Sequence, residues 1–145
     1  FEQNYGGIEG DSATCAELIA LLSSISGVPV RQDLAVTGSL NQHGQVQPVG
    51  GTTYKVEGFY HTCVIKGLTG TQGVVLPHQN VQNLLLKPEV LKAVKEGKFH
   101  IYSAETIDDV IEIMTGMPAE EFHTKVKEAL KEMADTAKEF MDGEI

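Results

Sequence analysis

The chain has 145 residues, 41% of them hydrophobic, with 11 Lys and Arg against 20 Asp and Glu, a formal net charge of -9, and a mean hydropathy of -0.09. That is the size and composition of one ordinary domain with a real core, which excludes a disulfide-stapled miniprotein and a disordered tail, and no apolar run approaches the roughly 20 residues of a membrane-spanning helix. The acidic balance also excludes a nucleic-acid partner, because a phosphate-binding face needs cations this chain does not have.

The two cysteines, Cys15 and Cys63, each sit in an apolar segment and read as reduced, buried thiols of a reducing compartment. The first residue is Phe1 and no leader pattern precedes the globular region, so the chain reads as a piece of a longer protein.

In chain order, residues 1–11 predict a short strand running into a glycine-rich loop. From Ser12 the apolar residues Ala16, Ile19, Ala20, Leu22 and Ile25 recur at helical spacing until Gly27 and Pro29 stop them after Ser26, with Asp11 or Ser12 as the N-cap. Residues 31–40 predict a strand, 41–44 a turn and 45–49 a returning strand, together a hairpin. After Gly50 and Gly51, residues 53–67 predict a helix with Lys55 in its first turn and Val56, Phe59, Tyr60, Cys63 and Val64 on its apolar face.

Residues 73–77 (GVVLP) are a short apolar run ended by proline, the pattern of a buried strand. A short helix over 88–96 and a strand over 99–103 follow. Thr106 starts a helix that runs to Gly116, carrying Ile107, Val110, Ile111 and Met114 on one face and Asp108 and Asp109 where they complement the helix dipole. Over 118–141, Phe122, Val126, Leu130, Met133, Ala137 and Phe140 form one stripe among Glu and Lys, which suits a surface of the domain or of a neighbouring subunit and not a membrane. Alternating helices and strands give a mixed α/β domain, with helices packed on a small sheet.

The chemistry concentrates in two glycine-flanked segments. Ser12 stands at the mouth of a helix, where it either caps the helix or uses the unpaired backbone N–H groups and the dipole to stabilise a developing oxyanion. Lys55 occupies a helix start, where the dipole disfavours an ammonium; partial burial there would favour the neutral amine, a general base toward a serine hydroxyl. Asp11 either accepts a bond from Lys55 and holds it charged or is an exposed loop carboxylate. A Cys15–His61 nucleophilic pair is a further arrangement, although a thiol in an apolar helix with no nearby cation is inert. His43, His78, His100 and His123 lack the spacing of a metal site, and residues 6–10 lack the lysine of a phosphate-binding loop, so no metal or cofactor is expected in this domain.

The segments GDSA at residues 10–13 and VTGSLNQHGQVQPVGG at 36–51, with Lys55 four positions after Gly51, resemble the proteolytic domain of Lon proteases, closest to the B-type and Lon-related group. The resemblance covers residues 1–116 and includes the spacing from Ser12 to Lys55. It implies an α/β (α+β) Lon-type fold over residues 1–117, its first strands missing, with 118–145 as a C-terminal amphipathic helix of the same domain.

The same resemblance implies a serine endopeptidase in which Ser12 is the nucleophile and Lys55 the general base, then the acid toward the leaving amine. Thr37 would hydrogen-bond the lysine and orient it, Asp11 and Ala13 would flank the nucleophile, and backbone N–H groups around Ser12 would form the oxyanion hole. It further implies unfolded polypeptide substrates, protein quality control in the cytoplasm, a hexameric ring, and an AAA+ module elsewhere in the parent chain where ATP and Mg act. Thr52, Thr53 and Tyr54 depart from the more polar stretch relatives carry before the lysine. The alternative is a catalytically silent module that binds polypeptide or assembles a ring, although such a module has no need of both Ser12 and Lys55.

Overall fold

Every residue of the run Gly73–Pro77 is buried, so this strand has apolar faces on both sides and must be covered twice. The computed structural model, which describes residues 12–143, resolves that demand by making the run the middle strand of a parallel sheet. The strand and glycine-rich loop expected over residues 1–11 lie outside the described residues.

The elements are α1 (Thr14–Ser26), β1 (Leu34–Val36), β2 (Ser39–Leu40), β3 (Val46–Gln47), α2 (Thr52–Lys66), β4 (Gly73–Pro77), α3 (His78–Gln82), α4 (Pro88–Lys95), β5 (His100–Ala104), α5 (Ile107–Thr115) and α6 (Ala119–Gly143). The strand order is β1-β4-β5, with Leu34 opposite Gly73 and Gly73 opposite His100. A Cβ at Gly73 would meet the His100 carbonyl group, so only glycine lets the two strands close at that end. The strand alternation then divides the core. Val75 joins Ile19, Val110, Ile111, Met114 and Phe122 on the face covered by α1, α5 and α6, whereas Val74 and Leu76 join Val56, Tyr60, Val90 and Phe99 on the face covered by α2 and α4. The fold is the α/β arrangement of helices on a small mixed sheet.

Several expected elements change. The single strand over 31–40 is two: β1 runs parallel to β4, the chain turns at Thr37 and Gly38, and β2 pairs antiparallel with β3 as a separate two-stranded sheet. The turn lies at Gly38, whose φ of 148° is one glycine accepts. The hairpin itself is present, closed by Gly44 N–H donating to Asn41 O at 3.1 Å. The helix α3, which has no apolar period to announce it, starts directly after Pro77. The N-cap of α1 is Ala13, with no side-chain cap bond, and not Asp11 or Ser12. On α2 the buried face holds Glu57 in place of Val64, which is 46% exposed.

α5 begins where its sequence says, with a capping box: Thr106 Oγ1 accepts from Asp109 N–H at 3.2 Å, and Asp109 Oδ2 accepts from Thr106 N–H at 3.1 Å. In α6 only the first turns are buried, at Ala119, Phe122 and Val126, and residues 131–143 are all exposed. Cys15 and Cys63 are free and buried. No helix among the described residues is long and apolar enough to cross a membrane.

Two expectations follow from packing and charge. Phe122→Ala empties a fully buried site and lowers unfolding free energy by about 3–5 kcal/mol, whereas Phe140→Ala, at a position 68% exposed, changes it by less than about 0.5 kcal/mol in urea titration. The bidentate Arg31 guanidinium, 2.9 Å from each Asp33 oxygen, holds the Asp33 carboxyl below the usual carboxylate range. A depressed carboxyl stabilises the fold above its unfolded value of about 3.9 and loses that contribution as pH falls through its native value. Asp33→Asn therefore costs stability at pH 7 and loses less on acidification than the parent, as parallel urea titrations would report.

Candidate active site

Three segments meet at the carboxyl end of β1. The first is the turn before α1, holding Ser12 and Ala13; the second is the β1–β2 corner with Thr37 and Gly38; the third is the first turn of α2 with Lys55. The corner is fixed to the sheet by Thr37 N–H donating to Val75 O at 3.1 Å. Gly38 then ties down the serine segment on both sides: its N–H donates to Ser12 O at 2.9 Å and its carbonyl accepts from Cys15 N–H at 3.1 Å. A Cβ at Gly38 would stand 3.0 Å from Val46 Cγ1 and 3.3 Å from Cys15 Sγ, so the close approach requires glycine for space as well as for φ.

Thr37 is buried, at 8% exposure, and its hydroxyl spans the other two segments. Oγ1 donates to Ser12 O at 3.4 Å and accepts from Lys55 Nζ at 3.3 Å. One hydroxyl thus touches the serine's main chain and the lysine's amine. The Ser12 side chain is half-buried and makes no hydrogen bond to a described residue. Its hydroxyl is not spent capping α1.

Lys55 is exposed, so the described residues do not supply the partial burial anticipated for it. Its position still follows from the local sequence. Gly51, with φ 68°, lets the chain enter α2 at a sharp angle, and Lys55 N–H closes the first helical bond on Gly51 O at 3.1 Å. Among N–H groups near the helix mouth, Cys15 and Glu17 are bound to Gly38 O and Ala13 O. That of Ala13 has no partner among the described residues.

Asp11, singled out beside Ser12, lies outside the described residues. The Cys15–His61 pair is not assembled: Cys15 is fully buried with Sγ 3.8 Å from Ser39 O, its thiol pushed up to about 11 by burial, and His61 faces Glu89 at 3.6 Å on the surface. His43 lies in the hairpin turn, His78 pairs with Ser103, His100 with the Gly70 carbonyl and His123 with Asp108. Sequence reasoning missed Asn80 on α3, whose side chain grips the backbone of Val49 ahead of α2.

Comparison with known proteins gives a consistent picture. Residues 6–116 match the family model of the Lon protease (S16) C-terminal proteolytic domain. The chain is 47% identical over 117 residues to a Lon protease homolog of Escherichia coli K12, covering 81% of this chain and 20% of that relative. It is 46% identical over 116 residues to a like-named protein of Haemophilus influenzae, covering 80% and 19%. An archaeal Lon protease of Thermococcus kodakarensis is 38% identical over 132 residues, covering 90% of this chain and 19% of the relative. The chain therefore spans about a fifth of the length of these relatives.

The geometry around Gly38 makes two outcomes measurable. Gly38→Ala forces the Val46 and Cys15 side chains apart and destabilises the fold by about 1–3 kcal/mol, read in urea titration. Cys15 and Cys63, both shielded and both raised by burial, resist alkylation by iodoacetamide at pH 7.5 and become modified when the chain is unfolded, as intact mass would show.

Proposed function

Because the chain belongs to the Lon protease (S16) C-terminal proteolytic domain family, we propose that it hydrolyses peptide bonds as a serine endopeptidase with Ser12 as nucleophile and Lys55 as its base. The observation that carries this reading is the Thr37 hydroxyl, in reach of both Lys55 Nζ at 3.3 Å and the Ser12 carbonyl at 3.4 Å. That contact fixes an otherwise flexible amine on the hydroxyl that also holds the main chain of Ser12, whose own hydroxyl makes no hydrogen bond to a described residue.

The proposed chemistry needs no group beyond these. Ser12 Oγ attacks the scissile carbonyl as its proton passes to neutral Lys55 Nζ. The resulting oxyanion sits at the amino end of α1, where the Ala13 N–H, without a partner among the described residues, and the helix dipole favour negative charge. Lys55, now an ammonium, returns the proton to the leaving amine, and water then releases the acyl group from Ser12 by the reverse sequence. Thr37 accepts a hydrogen bond from the lysine throughout and keeps it aimed.

The exposure of Lys55 gives the reading a physical requirement: a polypeptide or a neighbouring subunit must cover the amine to favour its neutral form. A hexameric ring meets it, and we assign the chain to such a ring in a cytoplasmic, ATP-dependent protease of protein quality control that degrades unfolded polypeptides. ATP and Mg belong to the AAA+ module of the parent chain, and the proteolytic steps above use neither. The same exposure is what a silent polypeptide-binding module would show, which keeps that second reading in play.

The deciding experiment is degradation of an unfolded protein by the parent chain, with and without ATP. Ser12→Ala abolishes cleavage, and Lys55→Ala lowers it by about 10²–10⁴-fold, with the assembly intact by gel filtration. Cleavage that survives Ser12→Ala overturns the mechanism.

A further inference from the structure

The segment between β3 and α2 delivers Lys55, yet it pairs with no strand among the described residues. Val49 is buried at 5% exposure, Gly50 and Gly51 follow, and the Gly51 N-cap makes no side-chain cap bond. Buried backbone groups in such a place need partners. Asn80 supplies both: Val49 N–H donates to Asn80 Oδ1 at 2.9 Å, and Asn80 Nδ2 donates to Val49 O at 3.0 Å. Only the amide has an acceptor and a donor side by side, so this one side chain replaces a neighbouring strand.

The clamp reaches the lysine in two steps. Thr52 Oγ1 donates to the same Val49 carbonyl at 3.2 Å, pinning the first residue of α2, and Lys55 N–H donates to Gly51 O at 3.1 Å one turn later. At its other end Asn80 sits on α3, which starts where β4 ends at Pro77. Thr37, the residue that receives Lys55 Nζ, is bound to the same strand through Val75.

We propose that Asn80 is a positioning residue for Lys55: by clamping Val49 it sets the first turn of α2 in register with β4, so that the lysine amine reaches Thr37 and, on the reading above, the Ser12 hydroxyl. The proposal rests on the Ser12–Lys55 mechanism, and its test separates the two. In the parent protein, the rate at which a fluorophosphonate labels Ser12 is followed from pH 6 to 10 for wild type, Lys55→Ala, Asn80→Ala, Asn80→Asp and Asn83→Ala. Asn83 is the control, since it adjoins the same short helix and, among the described residues, its side chain binds Gln79 O alone. Amide exchange of residues 49–55 is measured alongside.

Asn80→Ala slows labelling by about tenfold or more, moves the midpoint of its pH profile, and speeds exchange over residues 49–55 while β4 stays protected. Asn83→Ala leaves labelling unchanged. Asn80→Asp keeps the acceptor for Val49 N–H but loses the donor, so it also slows labelling, and it provides the comparison if the alanine variant does not fold. If Asn80→Ala and Asn80→Asp label at the wild-type rate with the wild-type pH profile while Lys55→Ala is slow, the positioning role is wrong and the dyad stands. If Lys55→Ala labels as fast as wild type, the dyad is wrong and the role of Asn80 falls with it.

Discussion

The structure depends on one constraint, the complete burial of β4. A strand with no exposed residue cannot sit at an edge, so β1 and β5 flank it and helices close both faces. The site inherits its geometry from this strand. Val75 O receives the Thr37 N–H, which ends β1 and begins the corner that holds Ser12 through Gly38. Pro77 ends β4 and begins the short helix that carries Asn80 to Val49. Ser12 and Lys55 lie 43 positions apart in the chain, yet both are located relative to one strand. For the proposed Ser12–Lys55 pair a rigid reference of this kind matters, because small displacements are costly to catalysis.

The buried polar groups tell the same story from the energetic side. Thr37, Ser39, Thr52 and Glu57 are the polar residues buried among those described. Thr37 bonds Ser12 and Lys55, Thr52 bonds Val49, the Ser39 carbonyl lies near the Cys15 thiol, and Glu57 Oε2 accepts from Lys87 N–H at 2.9 Å. Burying the Thr37, Thr52 and Glu57 side chains is tolerable because each is hydrogen-bonded, and an orphaned one would cost about 1–3 kcal/mol. Two of the four side chains hold the segments that deliver Ser12 and Lys55. Specificity of position, more than gain in stability, is what these bonds contribute there.

Legibility in the sequence followed the strength of local signals. β4 was readable because Val74, Val75 and Leu76 stand between Gly73 and Pro77, and α5 because Thr106 precedes an apolar helical period with Asp108 and Asp109 in its first turn. The split of residues 31–40 was not readable, since Thr37 and Gly38 differ little from strand residues until the partners of β1 and β2 are known to be different strands. α3 was hidden because five polar-rich residues carry no period. At the site, the motifs singled out Ser12, Thr37 and Lys55, but the exposure of Lys55 depends on which surfaces cover α2, a tertiary quantity. Asn80 had no signal at all: an amide in a short polar segment looks the same whether it faces solvent or a buried strand end.

The long last helix has a thermodynamic consequence. Beyond Val126 the residues of α6 are exposed or only half-buried, so about five turns are held chiefly by hydrogen bonds within the helix, without a packed core. Helices sustained by local terms alone melt gradually, whereas a core melts all at once. Heating the single chain therefore involves two kinds of transition: a broad loss of ellipticity from the exposed later turns of α6 spread over tens of degrees, and a sharp one when the layers around β4 separate. A single melting temperature would describe only the second.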